Sequence, residues 1–167
     1  MTATAPGAGR SGGGRAVEPE VCAAIQLPLP VDWDRVRLYP PACTGRAGLV
    51  RRIVLRLSGD RAVALGNHVF LPARCAGDLA LVAHEAMHCA QYQRWGAWRY
   101  FGRGASEQVR DLLHRLGFGR SPYRYQVSPE RPFDAYGMEE QAQIVEDAHR
   151  GIAAARGITD ACRARAL

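Results

Sequence analysis

At 167 residues with 47% hydrophobic side chains, the chain is long enough for one ordinary core and too short for two sizeable ones. Its formal charge is +6, but every one of the 22 basic residues is arginine and only Arg51 and Arg52 are adjacent, which argues against a dedicated nucleic-acid groove, so no nucleic-acid partner is expected. No apolar run approaches a bilayer span and no signal-peptide core precedes the domain, so no membrane partner and a cytoplasmic location are expected.

The expected fold class is α+β, a small β unit followed by a long central helix and two further helices. Residues 1–20, rich in Gly, Ala and Arg, are expected to form a disordered tail, residues 21–160 a single domain, and 161–167 a short C-terminal tail. Val31 to Leu38 reads as a short strand or docking segment closed by Pro40-Pro41. Leu49 to Leu57 alternates Ile53, Leu55 and Leu57 with Arg52 and Arg56, which predicts a half-buried strand. Ala62 to Leu71 predicts a second strand region with a tight turn or bulge at Gly66-Asn67. The central helix should run from Leu79, with Asp78 as cap, to Trp95 and stop at Gly96, followed by an aromatic loop from Gly96 to Ala105. Ser106 then predicts the start of a second helix ending at Gly117, Pro122 to Pro132 a loop, and Asp134 the cap of a third helix to about Arg156. Cys22, Cys43, Cys75, Cys89 and Cys162 form no C-x-x-C pair; reduced thiols are the default, with a Cys43–Cys75 bridge left open.

Within the central helix stands His84-Glu85-Ala86-Met87-His88. Two histidines four apart share one helix face and can reach one ion, while the glutamate one step round can reach a water on it. That arrangement predicts a Zn²⁺ site with His84 and His88 as ligands and Glu85 as the catalytic base. The competing reading is a satisfied histidine pair beside a helix-forming glutamate. It is disfavoured because Leu79 to Ala83 is uncharged and places Glu85 on a mostly buried helix. Cys89 is turned about 100° from His88 and should pack as a small apolar group.

A catalytic zinc ion needs a third protein ligand. The third-histidine pattern is absent, since Arg94 occupies that position and Gln91 the glycine position before it. The helix from Tyr136 to Asp147 offers Glu139 and Glu140, about 100° apart, so at most one faces the site. Glu139 is the expected ligand, because Ala142 three residues on would let the two helices approach closely. Both could equally be first-turn acids that suit the helix dipole, and the need for a third ligand decides between these readings. Tyr125, Tyr136, His68 and His149 remain unranked candidates for an oxyanion partner.

These residues resemble the zincin-like domain of the DUF4157 type and, more closely, small bacterial "Vgr-related" proteins. The resemblance is carried by Ala64 to Phe70, His84 to Gln93, Tyr123-Arg124-Tyr125 and Tyr136 to Val145, about half the chain. It implies a minimal gluzincin-like metallopeptidase fold acting on a peptide or protein substrate, with Glu139 at the family's first glutamate. It further implies association with a contractile injection or type VI secretion system, either as exported enzyme or as a docking module without peptidase activity. Cys89-Ala90 stands where relatives often carry Val-Trp, Met87 where Thr is common, and Glu140 where glutamine is frequent; none of these removes a proposed ligand.

Overall fold

The computed structural model describes residues 13–75, 77–115, 125–128 and 131–166. In chain order the described elements are α1 (Pro19–Ala24), β1 (Arg37–Tyr39), α2 (Gly45–Leu57), β2 (Val63–Leu65), β3 (His68–Phe70), α3 (Leu79–Arg115), α4 (Met138–His149) and α5 (Ala153–Ala166). The architecture is mixed α+β, a three-stranded sheet attached to a larger helical body.

The sheet order is β1-β3-β2, with β1 parallel and β2 antiparallel to β3. Alternation along each strand gives the sheet two faces. Leu38, Val69 and Ala64 lie in register across it and join the main core with Val82, Ala83, Met87, Ala142, Ile144 and Val145 of the helices. Tyr39, Phe70 and Val63 form the adjacent row and pack on the other side with Ala47 and Leu55 of α2. The β2–β3 turn falls at Gly66, as its sequence suggests; its φ is +64°, and a Cβ there would press on the Tyr92 ring at 3.2 Å.

Leu49 to Leu57 is helical, not a strand. The buried residues Ala47, Gly48 and Leu55 follow helical spacing, whereas Leu49, Ile53 and Leu57 point outward and are 51%, 51% and 83% exposed. Apolar side chains facing solvent beside arginines thus imitate the strand alternation. The strand expected within Val31 to Leu38 is confined to its end, Arg37 to Tyr39, after a 3₁₀ turn at Trp33–Arg35. Residues 1–12 of the expected tail lie outside the described residues. Arg15 exchanges two backbone hydrogen bonds with Leu38, and Val17 enters the main core.

The central helix is capped as expected, Asp78 Oδ1 accepting from Leu81 N at 3.1 Å. At Gly96 (φ 75°, ψ 165°) it kinks, then resumes, so the expected aromatic loop is helix. Ser106 is no N-cap: its hydroxyl bonds back to the Arg103 carbonyl inside the same helix. Leu116 and Gly117 lie outside the described residues, as does part of the Pro122–Pro132 loop. The third predicted helix is two: Asp134 sits in a 3₁₀ turn, α4 begins at Met138, and Gly151 (φ 91°) separates α4 from α5. All five cysteines are free thiols, and Cys89 is fully buried in the core.

Candidate metal centre

The site is made where α3 and α4 cross. Ala83, Ala86 and Ala90 of α3 and Ala142 of α4 are buried small side chains, which lets the two backbones come close. His84 and His88 project from α3, one turn apart, their ring centroids 5.0 Å from each other. On α4, Glu139, Ala142 and Glu146 follow one another at spacings of three and four residues and share a face.

Glu139 Oε2 lies 3.8 Å from His84 Nε2 and 3.5 Å from His88 Nε2. One ligand atom from each of the three residues falls within 4.8 Å of the other two, so His84, His88 and Glu139 could hold a metal ion. A tetrahedral ion with ligands at about 2.0–2.1 Å sets its donors about 3.4 Å apart, so the two carboxylate contacts are close to the required spacing. Glu140 takes the other role open to a first-turn acid. Its Oε2 accepts from Gly137 N at 2.9 Å and from Arg131 Nη2 at 3.0 Å, tying down the start of α4.

Each histidine has its own support. His88 Nδ1 is 2.9 Å from Gln91 Oε1, and the amide of Gln91 donates to the Met138 carbonyl and to Gln141 Oε1. Gln141 in turn donates to the carbonyls of Phe133 and Tyr136. A carbonyl acceptor at Nδ1 places a ring proton there and leaves Nε2 turned toward Glu139. His84 Nδ1 lies 3.1 Å from Glu146 Oε2, an ion-pair contact, and among the described residues this buried nitrogen has no assigned hydrogen-bond partner.

The electrostatics follow from this crowding. Burial works against charge on His84, but the carboxylates of Glu139 and Glu146 override it and raise its pKa to about 10. Burial likewise opposes charge on His88, and Glu139 again outweighs it, so its pKa is raised. Burial would raise Glu139, yet the two imidazoles hold it well below the usual carboxylate range. Glu146 is lowered, first by its contact with His84. Glu85 stands apart: burial pushes its carboxyl up, and among the described residues nothing hydrogen-bonds to it.

A cleft of about 680 Å³ opens onto Glu85, both histidines and Glu139, walled by β2 and by Tyr100 and Phe101. The kink at Gly96 turns the second half of α3 so that the Tyr100 hydroxyl reaches the Ala64 carbonyl on β2 at 3.1 Å. None of the four oxyanion candidates lines this cleft. Tyr125 donates to Asp147, Tyr136 is held by the Gln126–Ser128 backbone, His68 meets Tyr39, and His149 meets the Val145 carbonyl and Gln26 N.

Gln91, Glu146 and Tyr100 carry no assigned role in the sequence reading. Helical spacing could have flagged the first two, since Gln91 is three residues beyond His88 and Glu146 seven beyond Glu139. Nothing in the sequence signals Tyr100, whose position depends on the kink. No family model, curated protein or solved structure matches this chain.

Proposed function

We propose that the chain is a zinc-dependent metallopeptidase of minimal gluzincin-like type, with His84, His88 and Glu139 as metal ligands and Glu85 as general base. The observation that carries this reading is the convergence of three ligand atoms beside a buried glutamate that has no hydrogen-bond partner among the described residues and faces the same cleft. Two imidazoles and one carboxylate are a zinc donor set that leaves a fourth position open. Zinc bound there would supply Lewis acidity and bring the pKa of water toward neutrality. Glu85, which lines the same cleft, would accept a proton from attacking water and return it to a leaving amine. Gln91 keeps His88 in the tautomer that ligates through Nε2. β2 is the edge strand beside the cleft, and an extended peptide pairing with it would have to displace the Tyr100 hydroxyl from the outward Ala64 carbonyl.

A second reading is a docking module that keeps the metal site for stability and serves a contractile secretion assembly. It is favoured by the outward face of α2, where Leu49, Ile53 and Leu57 make an apolar stripe without cover among the described residues. Zinc content and hydrolysis of unfolded casein, measured on wild type and Glu85→Gln, separate the two. Retained zinc with hydrolysis reduced about 10²-fold or more in the variant supports the peptidase. Stoichiometric zinc with no hydrolysis by wild type favours the module, and no zinc in wild type removes both.

A further inference from the structure

Among the described residues no hydrogen bond is assigned to the buried Nδ1 of the proposed ligand His84, and one oxygen of Glu146 lies 3.1 Å from it. The other oxygen of Glu146 is not free to wander. Oε1 accepts from both Nε and Nη2 of Arg150, at 3.0 and 2.9 Å. Arg150 Nη2 also donates to Asp78 Oδ2 at 2.8 Å, and Asp78 Oδ1 caps the first turn of α3. A series of hydrogen bonds therefore leaves the start of the helix that bears His84, passes through Asp78 and Arg150 to Glu146, and ends 3.1 Å from His84 Nδ1.

We propose that Glu146 is a positioning residue for the metal ligand His84, and that the Asp78–Arg150 pair fixes where Glu146 stands. This rests on the metal-site reading above. A ligating imidazole that binds through Nε2 keeps a proton on Nδ1, and that N–H requires an acceptor to fix the ring plane. Glu146 is the acceptor available, with a side chain only 14% exposed. It lies seven residues after Glu139 on the same face of α4, so one helix supplies both the third ligand and the partner of the first. Gln143, one turn after Glu139, bonds Asp147 at 3.0 Å and so does not compete for His84. Arg150 enters from the end of α4 and is half-exposed, so its effect on the metal passes only through Glu146.

The test uses the full chain loaded with zinc or cobalt(II). Zinc affinity is measured by competition with a chromophoric chelator, the cobalt ligand-field spectrum is recorded, and thermal unfolding of the metal-free protein checks folding. Glu146→Leu is expected to weaken zinc binding about 10- to 100-fold and to shift the cobalt bands. Glu146→Gln, which keeps an acceptor oxygen, is expected to restore most of both. Arg150→Gln should weaken zinc binding in the wild-type background and have no further effect in the Glu146→Leu background. A merely structural Glu146 would lower the unfolding temperature and leave affinity and spectrum unchanged, which overturns the proposal, as does an Arg150→Gln effect that adds to that of Glu146→Leu. Should Glu146→Leu not fold, Arg150→Gln decides alone, and unchanged affinity and cobalt spectrum overturn the proposal. A wild type that binds neither metal defeats the metal-site reading itself, a result distinct from all of these.

Discussion

His84 and His88 are the same residue type, one turn apart on one helix, yet the structure backs them in opposite ways. Behind His88 stand two neutral amides, Gln91 and Gln141, both buried, that satisfy one another and three backbone carbonyls. Behind His84 stands a charged series, Glu146, Arg150 and Asp78, that emerges at the surface, where the Arg150 side chain is 45% exposed. The difference follows from desolvation. A neutral network can be sealed inside the core if each donor and acceptor is paired, whereas an ion chain is tolerated when one end stays wet. The two histidines meet again at Glu139, which faces both Nε2 atoms.

The largest effect is expected where the two supports converge. Glu139→Ala should abolish stoichiometric zinc binding, while Glu140→Ala should leave zinc content unchanged and cost about 1 kcal/mol of stability through the lost cap. Equal zinc content in both variants, by metal analysis, would remove the third ligand. Next, Gln91→Leu strands His88 Nδ1 and the Gln141 amide oxygen in the core, and should destabilise the metal-free protein by about 3 kcal/mol in urea unfolding. A loss below about 1 kcal/mol would mean that the amide network is not the rigid partner described.

The charged side should reveal itself through pH. His84 rises from 6.5 to about 10, so its stabilisation of the metal-free fold is complete below pH 6.5 and is lost as pH rises toward 10. Glu139 is lowered from 4.5, so its contribution is present above pH 4.5 and disappears as pH falls. Glu85, raised by burial, penalises the fold once pH exceeds 4.5, in the same direction as the His84 loss. The metal-free protein should therefore be most stable between about pH 4.5 and 6.5, and zinc binding should release protons and tighten as pH rises. Isothermal titration in buffers of different ionisation enthalpy reads the proton count; uptake in place of release contradicts the charged arrangement. The smallest expected effect is that of salt. Raising ionic strength should weaken the exposed Arg150–Asp78 contact by less than about 1 kcal/mol, and variants at Gln91 should show no salt dependence of their own.

The cap at Asp78, the break at Gly96 and the turn at Gly66 were legible because each rests on local backbone chemistry, a side-chain acceptor for orphan N–H groups or a positive φ that suits glycine. That Glu139, and not Glu140, faces the two histidines was legible from face geometry, since Ala142 shares the side of α4 that meets α3. The strand misreading of α2 has a different origin. Periodicity reports burial only when apolar residues face inward, and Leu49, Ile53 and Leu57 do not. Likewise Gly96 marks a break without saying whether helix resumes beyond it, so the place of Tyr100 against β2 was not readable.

By itself, the sequence determined the His84-Glu85-x-x-His88 face, its cap and the candidate acids one helix away, because helix geometry converts spacing directly into direction. Only the tertiary structure decided how those residues are held. The amide network of Gln91 and Gln141 and the ion chain of Asp78, Arg150 and Glu146 join residues 50 and 72 positions apart, at Gln91–Gln141 and Asp78–Arg150. Partnerships of that range depend on the approach of two packed helices, a distance that no local pattern encodes.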